Sequence, residues 1–178
     1  MQIRRIVTGR DAGGKSVFVS DSAAPRTTQF KHIAGLAASL IWETPPNPTL
    51  GSEGDPSVSA RSWVPSAGGS NLMFITFPPD SVMMAPTFDP AAAGGEYMEV
   101  LPGLAETFEM DSPGMHTTDS IDYAVLLEGE MHLELDDGAS KKLAPRDVVI
   151  QNGTRHAWRN RSSKPATMLF VLVGANRS

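Results

Sequence analysis

The chain has 178 residues, which suits one domain with a well-buried core, and we expect a single domain over residues 1–178. Its net charge of -5 argues against a nucleic-acid partner, because phosphate neutralisation needs a clustered basic surface. The chain has no cysteine, which excludes disulfides, thiolate metal sites and a cysteine nucleophile.

Hydropathy predicts no membrane partner. No segment of the sequence approaches the length of a membrane span, and the N-terminus lacks an apolar core of signal-peptide length. We therefore expect a cytoplasmic protein. The 14 Pro and 16 Gly, with a hydrophobic fraction of 40%, favour short strands and many turns over long helices.

The first 80 residues are predicted to supply extra N-terminal strands that add to a sheet edge. A stretch rich in Pro, Gly and Ser at residues 44–60 is predicted to be a surface loop. Pro78 and Pro79 should end the last strand of this part, because proline cannot donate to a sheet ladder. The expected strands cover residues 2–7, 15–20, 36–43, 61–64 and 71–77.

Residues 81–113 form the least regular part of the sequence and are predicted to be a long, lid-like loop. A short helix is expected around residues 94–105. Four side chains of this segment are candidate acids or bases near a site, although the sequence does not fix where they point: Glu96, Tyr97, Glu106 and Glu109.

The last third shows the clearest strand pattern, with Asp136-Asp137-Gly138 as a hairpin turn and Asn152-Gly153 as a second turn. Closely spaced short strands of this kind predict a sandwich or a barrel. The six expected strands cover residues 122–127, 130–135, 141–143, 147–151, 156–160 and 166–173.

Two histidines and an aspartate predict a metal site. Side chains alternate across a strand, so His116 and Asp122, six residues apart, can point to one face, and His156 can join them from a second strand. By the same alternation Trp158 and Asn160 share the face of His156. We take the three residues as metal ligands and Thr118, Trp158 and Asn160 as candidate catalytic residues.

At these positions the sequence resembles the cupin superfamily. The first cupin motif, G-(x5)-H-x-H-(x3-4)-E-(x6)-G, is matched by His116, by Thr118 at its second histidine, by Asp122 at its glutamate, and by Gly129. The second, G-(x5)-P-x-G-(x2)-H-(x3)-N, is followed by residues 151–160, with Gln151 for the proline and Arg146 near the usual glycine, one residue closer. The resemblance is strong over residues 113–173 and weak before them.

This resemblance implies an all-β fold, the cupin double-stranded β-helix or jelly-roll barrel, with the two motifs in residues 114–173. A cupin metal is usually held by three histidines and a glutamate, so Thr118 leaves a more open site, in which Thr118 can orient Asp122 or a metal-bound water. The implied cofactor is a divalent ion such as Fe, Zn, Ni or Mn. The resemblance also implies a homodimer formed through the N-terminal strands.

Other readings of these residues stay open. A histidine on a half-apolar strand is often a core residue, and Trp158 serves core packing as readily as substrate stacking. His32 and His132 have no matching partners, and Asp119 would replace Asp122 as a ligand only through a local twist.

The leading functional hypothesis is a metal-dependent enzyme that acts on a small carbonyl, carboxylate or aromatic compound by Lewis-acid chemistry, as a decarboxylase, lyase or isomerase. The alternatives are a non-haem Fe(II) dioxygenase with a 2-His-1-carboxylate site, and a small-molecule-binding cupin without catalysis.

Overall fold

A computed structural model describes residues 2–51 and 54–177, and within them the chain is mostly β. No helix in this part of the chain has both the length and the apolar character needed to cross a membrane. Three 3₁₀ turns cover Asp80–Val82, Ala105–Thr107 and Asp136–Gly138, and the α-helices are α1 (Pro56–Ser59) and α2 (Pro90–Val100). The strands are β1 (Arg4–Arg10), β2 (Ser16–Ala23), β3 (Arg26–Gln29), β4 (Ala37–Thr44), β5 (Ser70–Phe77), β6 (Ser120–Glu128), β7 (Met131–Glu134), β8 (Ser140–Leu143), β9 (Val148–Asn152), β10 (Ala157–Arg159) and β11 (Ala166–Gly174).

The strands form three antiparallel sheets. A six-stranded sheet has the order β3-β4-β5-β11-β6-β9, a three-stranded sheet has the order β10-β7-β8, and β1 pairs with β2 alone. One hydrophobic core joins the two larger sheets, since it contains Met131 and Leu143 from the smaller sheet with Leu126 and Met168 from the larger. The all-β prediction is confirmed.

Alternating burial on β6 and β11 builds this core. Ala124 and Leu126 are fully buried on β6, and they face Phe170 and Met168 across the ladder to β11. Burying each large apolar side chain contributes about 1.5–3 kcal/mol. All six strands predicted in the last third are present, with bounds shifted by at most two residues.

The N-terminal part departs from the prediction in four ways. β1 and β2 form a separate hairpin instead of extending a larger sheet, and the edge strand β3 was not expected. Residues 61–64 are not a strand, because Trp63 turns into the core and its backbone N–H donates to Pro102 O at 2.8 Å. The predicted loop at residues 44–60 contains α1, and its residues 52 and 53 lie outside the described part.

The predicted lid is a packed segment with a helix. α2 begins earlier than expected because the Asp89 carboxylate accepts hydrogen bonds from Ala91 N and Ala92 N, and Pro90 occupies the first turn. After the helix, Leu101 and Leu104 enter the core. This part of the chain therefore packs against the barrel and is not an open loop.

Candidate active site

The centre of the candidate site is the pair His116 and His156. Each backbone N–H donates to the other residue's carbonyl, at 2.9 and 3.0 Å, in an isolated antiparallel bridge just before β10. Residues paired in this way carry their side chains on the same side. The two imidazole centroids consequently lie 4.2 Å apart.

Both imidazoles are held in the same tautomer. Nδ1 of His116 lies 3.1 Å from Gly114 O, and Nδ1 of His156 lies 2.9 Å from Thr154 O. A carbonyl oxygen only accepts hydrogen bonds, so each Nδ1 carries the proton. The lone pair of each Nε2 is therefore available to bind a metal or accept a proton.

Burial keeps this pair neutral. His116 is 6% exposed and His156 is 1% exposed. Loss of hydration, with a smaller effect of the neighbouring His156, lowers the pKa of His116 to about 4. Burial also lowers the pKa of His156, against the raising effect of the Thr154 carbonyl.

A chain of hydroxyl groups leads to Asp122. Ser120 Oγ lies 2.6 Å from Asp122 Oδ1 and 3.0 Å from Thr118 Oγ1, and all three side chains are buried. Burial raises the pKa of Asp122 to about 6, and the Ser120 hydroxyl opposes this rise only in part. Thr118 is thus linked to Asp122 through Ser120, a residue that was not predicted at the site.

The third predicted ligand is not gathered with the two histidines. Across residues 2–51 and 54–177, no group of three or more His, Asp or Glu is arranged to hold a metal ion. The chemistry of the donor set still fits a divalent ion, because two neutral imidazoles with available Nε2 atoms meet at the pair. A complete three-ligand centre would need the Asp122 carboxylate to approach the pair.

Gln151, at the proline position of the second motif, is a further residue of the site. It is buried on β9, directly opposite Asp122 in the β6–β9 register. Its Nε2 donates to Thr154 O at 2.9 Å, the carbonyl that also accepts from His156 Nδ1. Gln151 lies two positions after the inward-facing Val149, so strand alternation places its side chain on the same inward face.

Aromatic rings cover the pair from the segment before it. Phe108 forms a bridge with His116 and places its ring 4.6 Å from the imidazole. Tyr97 from α2 lies 5.5 Å from Phe108, and Phe30 lies 5.2 Å from Tyr97. Burial raises the pKa of Tyr97 to about 12, so its hydroxyl stays protonated. This wall closes the site on one side.

Two carboxylates fix that wall in place. Glu96 is buried and accepts hydrogen bonds from the backbone N–H groups of Lys31 and His32, at 2.7 and 2.8 Å. Glu109 accepts two hydrogen bonds from Arg155, at 2.7 and 2.6 Å. Of the four candidate acids and bases, these two and Glu106, which accepts from Gly103 N, are therefore occupied in structural contacts.

The other predicted residues separate into two groups. Trp158 lies beside the site, in edge contact with His156 at 5.6 Å and with Phe170 at 5.5 Å. Asn160 does not support its predicted catalytic role, because its side chain donates to Phe77 O and Lys164 O and accepts from Ser162. It holds a turn together and ties it to the end of β5.

Two motif positions carry the backbone shape that glycine favours. Gly129 has φ +85°, and Arg146, which stands near a glycine of the second motif, has φ +81°. Arg146 N donates to Leu126 O at 2.8 Å. The turn of the motif is thus retained without its glycine.

The cupin domain family matches residues 98–172, which include His116, Thr118, Ser120, Asp122, Gln151, His156 and Trp158. Phomopsin biosynthesis cluster protein C' of Diaporthe leptostromiformis is 33% identical over 173 residues, covering 96% of this chain and 78% of that relative. Cupin-domain-containing oxidoreductase fogC of Aspergillus ruber is 25% identical over 181 residues, covering 98% and 74%. A putative ethanolamine utilization protein Q from Salmonella typhimurium shares 11% identity over 99% of both chains, with a TM-score of 0.43, too low to bear on function. The family match and the similarity to the Diaporthe protein show that this chain belongs to the cupin family.

Proposed function

We propose that the chain is an enzyme that transforms a small organic molecule at the His116–His156 pair. The observation that carries the proposal is the pair itself, two buried neutral imidazoles with both Nε2 lone pairs available. A purely structural pair would not need to keep both Nε2 atoms free of protons. Relatives named as biosynthesis cluster proteins and as oxidoreductases support enzymatic work on a natural-product intermediate.

The walls of the site favour a substrate with a planar, apolar part. Trp158 and Phe108 flank the pair and offer ring faces and edges for stacking. The Thr118 and Ser120 hydroxyls and Asp122 form the polar side, which suits a carbonyl or carboxylate oxygen on the same molecule. The substrate would thus lie with its oxygen atoms toward β6.

His116 and His156 would hold a divalent ion through Nε2, and a carboxylate oxygen of Asp122 would complete the ligand set. A bound ion would polarise substrate oxygens or, as iron, support oxygen chemistry. Ser120 and Thr118 would then orient the carboxylate, and Gln151 would keep the Thr154 carbonyl, and hence the His156 ring, in position.

Oxidation is the first candidate reaction, because four relatives are named oxidoreductases. Lyase or isomerase chemistry is the second. It would use the pair without a bound ion, because a free Nε2 can accept a proton from substrate carbon or oxygen. Both reactions use the same pair of residues.

The test combines metal content with oxygen consumption. Purified protein is reconstituted with Fe, Zn, Ni or Mn, measured by elemental mass spectrometry, and assayed for oxygen uptake and product formation with aromatic and dicarbonyl compounds. Iron that is lost in His116→Ala and His156→Ala, together with oxygen uptake, would support oxidation. Turnover without oxygen would support the lyase or isomerase.

His132→Ala is the matched control, since His132 lies near Glu130 on β7, away from the pair. Its activity should equal that of the wild type. If the double variant of His116 and His156 kept full activity, the proposal would be wrong. If the wild type bound a ligand without turning it over, the chain would instead be a binding protein.

A further inference from the structure

Two segments that carry the site run side by side without a backbone ladder. The antiparallel pairing of β6 with β9 stops short of the His116–His156 bridge. The residues in between are 117–119 on one side and 153–155 on the other. Across the described part of the chain, no backbone hydrogen bond joins these two short segments to each other. Side chains therefore set the distance between them.

Arg177 spans this gap from the segment that follows β11. Its Nη2 donates to Thr118 O at 3.0 Å and to Gly153 O at 3.3 Å, and its Nε donates to the Asp119 carboxylate. Ala175 N donates to Asp119 O at 2.9 Å, which brings this part of the backbone alongside. Among the described residues, the hydrogen bonds that link the two short segments all pass through Arg177.

The two carbonyl oxygens show why an arginine suits this place. Both accept from a single nitrogen, so they lie close to each other, and their partial negative charges repel unless a cation lies between them. The segments also pack tightly, since a Cβ on Gly153 would lie 3.2 Å from Thr118 O. A guanidinium directs its donors from one rigid plane, whereas a lysine ammonium is a point charge on a flexible stem.

Each anchored carbonyl belongs to a part of the chain that shapes the site. Thr118 begins the chain of hydroxyl groups that leads to the buried carboxylate. Gly153 precedes Thr154, whose carbonyl accepts a hydrogen bond from Nδ1 of His156. Arg177 thus connects the hydroxyl side of the site to the group that supports one imidazole.

We propose that Arg177 is a positioning residue that fixes the orientation of the His156 imidazole relative to the hydroxyl side of the site. It holds Gly153 against Thr118, which keeps the Thr154 carbonyl within reach of Nδ1. Without Arg177 the two anchored carbonyls separate, and the hydrogen bond that selects the tautomer of His156 weakens. The consequence for turnover rests on the proposed function, whereas the consequence for the imidazole does not.

Nitrogen NMR of metal-free protein with labelled histidines tests the proposal at neutral pH. The signals of His156 are assigned by their loss in His156→Ala. The wild type should show one tautomer at His156, with the proton on Nδ1, and Arg177→Ala should show both tautomers in exchange. Arg4→Ala is the matched control, because Arg4 is also exposed and also pairs with an aspartate, but on the β1–β2 hairpin, which contributes no residue to the site.

Chemical rescue separates positioning from a general loss of stability. Guanidinium chloride, added at a concentration too low to unfold the protein, should restore the single tautomer in Arg177→Ala, and the same concentration of sodium chloride should not. A protein that was merely destabilised would not recover in this way, since guanidinium weakens folds. Arg177→Lys should behave like Arg177→Ala. Rescue by sodium chloride or by the lysine would overturn the need for a planar group.

Kinetics with a compound that the wild type turns over gives a second measurement. Arg177→Ala should lower kcat about 10-fold and change KM less than about twofold, since it displaces a reacting group without removing a substrate contact. An unchanged kcat would overturn the catalytic part of the proposal. A wild type without turnover would overturn the proposed function, and the NMR comparison would then decide the role of Arg177. A single His156 tautomer in Arg177→Ala, or an equal change in Arg4→Ala, would overturn that role.

Discussion

Glu109 and Arg155 form a two-point ion pair that joins the segment covering His116 to the residue before His156. Arg155 Nε and Nη2 donate to the two carboxylate oxygens, and Nη1 donates to Asp136 at 2.8 Å. The Arg155 guanidinium holds the pKa of Glu109 below its usual range. The covering segment is therefore fastened close to the pair it shields.

Glu109→Gln should loosen that segment. The neutral amide keeps the shape of the side chain but loses the charge-assisted bonds to Arg155, so Phe108 should leave His116 more often. We expect several-fold faster deuterium exchange of the amides of residues 105–115, measured by mass spectrometry. Glu130→Gln, which removes an exposed ion pair with Lys142, should leave exchange in that segment unchanged.

Lowering the pH should loosen the same segment, residues 105–115. Because the pKa of Glu109 is lowered in the folded protein, the ion pair stabilises the closed segment above the usual carboxylate range and is lost as the pH falls through the lowered value. Exchange that is as fast in the wild type as in Glu109→Gln at neutral pH would show that the pair does not hold the segment.

Asp122→Asn should stabilise the metal-free protein at alkaline pH. The pKa of Asp122 is raised to about 6 in the folded protein. Its contribution to the free energy of unfolding is therefore complete below the pKa of the unfolded chain and is lost as the pH rises through about 6. Above that pH the buried charge destabilises the fold by roughly 3 kcal/mol, and the amide removes this cost. Urea unfolding with chelator at about pH 5 and about pH 8 measures the difference.

The gain in the free energy of unfolding from Asp122→Asn should be small at the lower pH, and this measurement serves as the internal control. Ser120→Ala should have the opposite effect at the higher pH, because it removes the hydroxyl that stabilises the carboxylate. A destabilised Asp122→Asn protein at both pH values would show that the carboxylate has a buried partner that the hydrogen bonds do not include.

Tyr97→Phe should make the free energy of unfolding less sensitive to alkaline pH. An unfolded tyrosine ionises near its ordinary value, whereas Tyr97 stays protonated up to a pKa of about 12. The stability of the wild type should therefore fall by roughly 3 kcal/mol as the pH rises from about 10 to about 12, and the variant, which has no phenol at this position, should not show this loss. Denaturant unfolding at about pH 9 and about pH 11 compares the two proteins. Equal pH dependence would contradict the burial of the phenol.

Gly129→Ala should be among the most damaging single-methyl changes in the chain. Gly129 has φ +85°, and an added Cβ would lie 2.7 Å from Pro165 O and 2.8 Å from the Cα of Ala166, at the start of β11. We expect a loss of roughly 3 kcal/mol or more in the free energy of unfolding. Thermal and urea unfolding measure it.

Gly138→Ala is the matched control. Gly138 also has a positive φ, +72°, but within the described chain an added Cβ there meets no atom within 4 Å. Only backbone strain remains, about 1 kcal/mol. Equal losses in the two variants would show that close packing at Gly129 adds nothing to its conformational requirement.

Local patterns predicted the parts of the fold that depend on local chemistry. Alternation predicted that His116 and Asp122 share a face, and both are buried, while turn residues predicted the hairpin at Asp136–Gly138. Both follow from side-chain direction and φ, which a short segment determines by itself.

The remaining errors concern contacts that strand spacing does not encode. Asn160 was expected at the site because it shares a strand pattern with His156, but hydrogen bonds with Phe77, Ser162 and Lys164 retain it in a turn. Phe108 covers His116 through a bridge eight residues away along the chain, and the sequence carries no pattern for it. Nor does spacing predict whether Asp122 faces the two imidazoles or Ser120.

The tilted rings of Phe30, Tyr97 and Phe108 adjoin one another and cover His116, which is 6% exposed. In the enzyme proposed above, movement of Phe108 would admit substrate, and the frequency of that movement would then limit turnover. Between openings the same rings keep bulk solvent away from any reactive species formed at the pair. In the proposed enzyme, the aromatic wall would therefore lower the rate of substrate access and also limit side reactions at the two histidines.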